Sequence, residues 1–164
     1  MEVPTAALVR EYGPQGVEVD RSEFRFARVR ARPDLTIEAG FGGVFRMFGA
    51  LIDTHWLGRR GMPPTSPLVD LHYRFDQERF RGTGPASEAI ASRLGNARTR
   101  DLAKRAELKS IRVQDSPEGR LVDITPLPGT ITAMYLPPLP PYTVPIKPPE
   151  ADAQLALLLH LADL

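Results

Sequence analysis

The pattern of apolar residues predicts an α+β fold, a mainly antiparallel sheet with helices packed on one face, closed by an apolar C-terminal helix. Three observations carry this two-layer sandwich. Roughly seven strand-like segments follow one another in hairpin fashion, with helices at the ends and once in the middle. The stretch Ile111 to Leu136 offers three strands with no crossover helix between them, which argues against a parallel sheet. The closing helix is apolar around most of its circumference, so more than one surface must cover it.

Taken in order, Pro4 to Tyr12 reads as a short helix, with proline near its start and Gly13-Pro14 at its end. Ser22 to Arg32 alternates as a strand, Phe24 and Phe26 on one parity, then Ala27, Val29 and Ala31 on the other. That phase flip predicts a β-bulge near Phe26-Ala27, with arginines turned outward on both sides of the bend. Pro33-Asp34 turns into a second strand, Leu35 to Ala39. In Gly40 to Leu57 two signals compete. Phe41, Phe45, Phe48 and Ile52 fall on one helical face, whereas Gly40, Gly42, Gly43 and Gly49 oppose a helix at about 1 kcal/mol for each interior glycine. The reading adopted is a helix over about Val44 to Thr54, followed by an exposed loop from Gly58 to Pro67.

Leu71, Tyr73 and Phe75 alternate with Asp70, His72, Arg74 and Asp76 in a further strand, which Arg79 to Arg81 continues or pairs with. Pro85 to Leu94 forms a helix closed by a left-handed Gly95-Asn96, and Asn96 caps a second helix to Leu108, supported by Asp101 and Arg105. A hairpin turns at Ser116-Pro117-Glu118-Gly119, between Ile111/Val113 and Val122/Ile124. Ile131 to Leu136 is apolar on both parities, as in a strand covered on both sides. The proline-rich run Pro137 to Pro149 is a strap that becomes an edge strand and enters the last helix at Pro149-Glu150; its P-x-x-P spacings also suit an aromatic groove. On that helix Ala151, Leu155, Leu158, Leu159 and Ala162 make one face, extended by Leu157, Leu161 and Leu164.

Composition excludes several function classes. One globular domain over residues 1–164 fits the length. The chain has no cysteine, which removes disulfide scaffolds, thiolate zinc sites and a cysteine nucleophile, and suits a reducing cytoplasm. Its start lacks the basic flank and apolar block of a secretory signal. The uncharged stretch Ile124 to Ile146 is too rich in proline to span a membrane. Arginine far outnumbers lysine, a skew typical of a GC-rich bacterial genome. A net charge of +1 creates no global field for nucleic acid, and the arginines of Arg21 to Arg32 read as a solvated strand edge with no interleaved aromatic platform.

No nucleophile elbow, Walker-type loop or dinucleotide fingerprint is present, no cofactor is implied, and Gly82-Thr83-Gly84 reads as a helix cap. The catalytic candidates are Asp70 and His72, which point to one face of a strand, with Asp76 beyond them. His55 and His72, helped by Asp53, are the candidate metal ligands of a small metal-assisted enzyme. The plainer reading, the polar face of a half-buried strand, is preferred. Asp115, Glu118 and Asp123 cluster at a hairpin turn, where solvated charge is expected. The leading expectation is a non-enzymatic binding or interaction module. Phe41, Phe45, Phe48, Trp56, Leu157 and Leu161 would line a pocket for an apolar small molecule, bury themselves in a homodimer, or complete the core.

Overall fold

The computed structural model describes residues 2–19, 25–46, 49–63, 66–134 and 142–164, and the backbone alone of 25, 26, 44–46, 85, 133 and 134. The chain runs α1 (Glu2–Tyr12), β1 (Val17–Glu18), β2 (Arg25–Arg32), β3 (Leu35–Arg46), β4 (Gly49–Arg60), β5 (Val69–Arg74) and β6 (Arg79–Gly82). It continues with α2 (Pro85–Leu94), α3 (Ala97–Arg105), β7 (Leu108–Ser116), β8 (Gly119–Pro126), β9 (Ile131–Met134), β10 (Tyr142–Thr143) and α4 (Pro148–Asp163). All pairings are antiparallel, in the order β1-β2-β3-β4-β8-β7-β5-β6, with β9 and β10 extending one end beside β4. The expected α+β two-layer sandwich is the observed fold, with ten strands among the described residues.

Among the described residues, helices cover one face of the sheet and leave the other, called the open face, without a helix. Ala27, Val29, Ile37, Trp56, Ile124 and Val113 point to the covered side, where α4 lies across β4 and β8, flanked by α1 and α3, while α2 packs on β5 and β6. α4 comes so close that a Cβ on Gly58 would stand 2.9 Å from Leu158 Cδ2, so only glycine fits between helix and strand without a shift. Its apolar circumference is covered from several directions, as expected: Leu157, Leu158 and Leu161 are fully buried against sheet and helices. Its single buried amide, Gln154, accepts from Trp56 Nε1 at 3.0 Å and donates to the Ala106 carbonyl at 3.0 Å, tying α4 to the sheet and to the end of α3. At its C-terminus, where carbonyls lack helical partners, Arg60 donates to Ala162 O (2.7 Å) and Arg120 to Leu161 O (3.0 Å).

The expected helix over Val44–Thr54 is instead two strand arms. β3 and β4 pair without a register break from Leu35↔Arg60 to Arg46↔Gly49. A spacing of four, such as Phe41 to Phe45, keeps one face of a strand as well as of a helix, so the glycines were the better guide. For the same reason the strand starting at Leu35 runs past Ala39 to Arg46, and Gly58–Arg60 continue β4 rather than opening the loop. The bulge in β2 falls between Arg25 and Ala27, as the phase flip predicts, and a second irregularity follows between Arg30 and Arg32.

Gly95 is not left-handed: its φ is −81° and its N–H donates to Ala91 O. Asn96 does cap α3, accepting from Thr99 N at 3.0 Å, and Arg105 pairs with Asp101 at 2.8 Å. α3 stops at Arg105, short of Leu108, because Glu107 takes a φ of 48° and turns the chain into β7. In β9, Thr132 is exposed, so the strand is open on one side at that position; among the described residues β10 pairs along its outer edge, and Tyr135 and Leu136 lie outside them. The strap does become an edge strand at Tyr142–Thr143, and α4 begins one residue early, at Pro148; Pro137 to Pro141 lie outside the described residues.

Candidate functional site

Antiparallel register arranges the open face in transverse rows. One row reads Thr36, Arg59, Leu121, Gln114 and Asp70 across β3, β4, β8, β7 and β5. The next reads Glu38, Leu57, Asp123, Arg112 and His72. Residues paired across strands share a face, so these side chains stand together on the side without helices.

Side chains of the second row bond to those of the rows beside it. Arg112 grips Asp70 bidentately, Nε to Oδ1 at 2.9 Å and Nη2 to Oδ2 at 2.6 Å, which holds the Asp70 carboxyl below its usual range. His55 Nδ1 faces Asp123 Oδ1 at 3.1 Å and Thr125 Oγ1 at 3.3 Å. The hydrogen bond with Asp123 raises the imidazole pKa against the opposing effect of burial. The other nitrogen, Nε2, lies over Gly42, where a Cβ would come within 2.6 Å of it. Beside it Lys109 Nζ meets Asp53 Oδ2 at 2.7 Å, and Thr130 Oγ1 donates to Asp53 Oδ1 at 2.9 Å.

Asp70 and His72 do share a face, with His72 Nε2 3.5 Å from Asp70 Oδ1, but Arg112 already occupies that carboxylate. Asp76 sits apart in the turn after β5, paired with Arg74 at 3.4 Å. His55 belongs to β4 and His72 to β5, three strand spacings away, roughly 14 Å of backbone. Among the described residues no group of three His, Cys, Asp or Glu gathers at metal-binding distance. Trp56, Leu157 and Leu161 are fully buried within the core, and Phe41 packs half-buried against it. Phe45 lies on β3 by its backbone; its side chain and Phe48 lie outside the described residues.

The carboxylates near the hairpin turn are not uniformly solvated. Asp115 is buried on the covered face and bound bidentately by Arg120, at 2.6 and 2.7 Å. Asp123 is the partner of His55. The first was within reach of sequence reasoning, since a two-residue turn at Pro117-Glu118 sets Asp115 opposite Arg120, whereas the contact of Asp123 with His55 depends on the pairing of β4 with β8.

At the end of the sheet nearest the Ser116–Gly119 turn, Arg59, Leu121, Gln114 and Asp70 of the first row, together with Arg60, Val69, Asp115 and Arg120 of the covered parity, line a cleft of about 680 Å³. Gly61 and Leu68 of the connection between β4 and β5 stand on one side, and the Ser116–Gly119 turn on the other, with Thr83 also at the rim. No helix among the described residues is long and apolar enough to cross a membrane. The chain matches no protein-family model, and no curated protein or solved structure is significantly similar to it. The class defined is therefore architectural: an antiparallel α+β sandwich with one helix-covered face and one open, polar face.

Proposed function

We propose that this protein is a non-enzymatic binding module that takes a small molecule on the open face of its sheet. The observation that carries the reading is that face itself. Among the described residues helices cover one side only, while the other carries polar side chains already bonded to one another beside a cleft of about 680 Å³, within the size range of small-molecule sites. Side chains already locked by neighbours lose little freedom on binding, which favours recognition. Asp70 is engaged by Arg112, and His55 and His72 stand on separated strands, so the metal-assisted alternative gains no support from this arrangement. The apolar-pocket version moves away from Trp56, Leu157 and Leu161, because those side chains are consumed by the core. The cysteine-free composition supports a reducing compartment such as the cytoplasm.

Amide chemical-shift mapping with a library of polar fragments tests this. Hits are expected to cluster on β4, β5, β7 and β8 at open-face positions. Hits confined to the helical layer, or a divalent metal that binds tightly and perturbs His55 and His72 together, would overturn it.

A further inference from the structure

Resting on that reading, we infer that the cleft recognises a monocarboxylate with an apolar body, and that Arg59 is the residue that binds the carboxylate. The ionic groups around the cleft are almost all taken. Arg60 donates to Asp34 and to Ala162 O, Arg120 is locked to Asp115, and Asp70 is held by Arg112. Arg59 alone among the cleft's described cations has no partner, although it stands in the same transverse row as Leu121, Gln114 and Asp70. A guanidinium presents a planar fork that matches a carboxylate with two parallel hydrogen bonds.

The rest of the lining sets the remainder of the ligand. Leu68 is 82% exposed and Leu121, the cross-strand partner of Arg59, is half-buried, so the lining offers apolar surface as well as charge. An exposed leucine lining the same cleft as an unpaired cation suits an amphiphile better than either a salt or a hydrocarbon. Glu118, on the turn that lines the cleft, also lacks a side-chain partner among the described residues. This unpaired carboxylate disfavours a dianion such as a phosphate monoester and tolerates one negative charge placed at Arg59.

The probes are hexanoate, hexanol, hexylamine and hexyl phosphate, each titrated into the intact protein and followed by amide chemical shifts. Hexanoate is expected to bind most tightly and to move the amides of Arg59, Gln114 and Leu121. Arg59→Gln should weaken it roughly tenfold or more, and Arg59→Lys, which keeps the charge and loses the fork, by less. Arg30→Gln, at the distant β2 edge, should leave it unchanged, and the amide spectrum of each variant verifies its fold. Unchanged hexanoate affinity in Arg59→Gln, or hexanol or hexyl phosphate binding as tightly, overturns the inference. If those neutral or dianionic probes still map to the cleft, the binding-module reading survives; if polar fragments and all four probes miss the open face, both fall.

Discussion

The two faces of the sheet hold the same chemical pair in opposite surroundings. On the covered face Arg120 grips Asp115 with side chains 1% and 2% exposed; on the open face Arg112 grips Asp70 with side chains 42% and 39% exposed. Both are bidentate arginine–carboxylate pairs across neighbouring strands at almost equal distances. What differs is the dielectric around them. Buried, each charge depends on the other, and Arg120 also on the Leu161 carbonyl to which it donates; exposed, water can replace either partner. Bond geometry alone therefore does not separate a structural pair from a surface one.

The largest expected effect follows from removing one partner of each pair. Arg120→Met leaves Asp115 buried and uncompensated and strips the Leu161 carbonyl of its donor, and should cost about 3–5 kcal/mol in urea unfolding. Arg112→Met should cost less than about 1 kcal/mol, since Asp70 can be solvated. Equal losses would break the comparison.

A smaller effect is expected at the neutral buried link. Gln154→Leu keeps the volume near constant but strands two neutral groups, Trp56 Nε1 and the Ala106 carbonyl, at about 1 kcal/mol each, read as a lower midpoint in thermal unfolding. A variant as stable as the parent would show that water reaches both groups.

The smallest effect sharpens the open-face side. His55 has a folded-state pKa above its ordinary 6.5, chiefly through the hydrogen bond with Asp123. The protonated form is therefore favoured by folding: its contribution is complete below pH 6.5 and fades as the pH rises through the folded value. Asp123→Asn should lower the His55 pKa, followed by imidazole proton shifts, and flatten stability across that window by less than about 1 kcal/mol. An unchanged titration would remove Asp123 as the cause.

Much of the architecture was legible because it depends on local chemistry. The β2 bulge, the Asn96 cap, the Ser116–Gly119 hairpin and the over-apolar last helix all follow from period, turn residues or caps within a dozen residues. The Val44–Thr54 helix failed where a four-residue spacing satisfied both periods and only pairing with a second arm could decide. The candidate site was half legible. Alternation set Asp70 and His72 on one strand face, but Arg112, Asp123 and Arg59 joined them through register across four strands.

Sequence by itself determined the class of fold, the absence of thiol chemistry and which residues sit on alternate faces, because these depend on side-chain period and composition. Only tertiary structure decided which face the helices would cover. Covering one face turned Asp115 and Arg120 into a buried pair and Trp56, Leu157 and Leu161 into core. The same choice left Arg59, Asp70, His55 and Asp123 on the side that water, and a ligand, can reach.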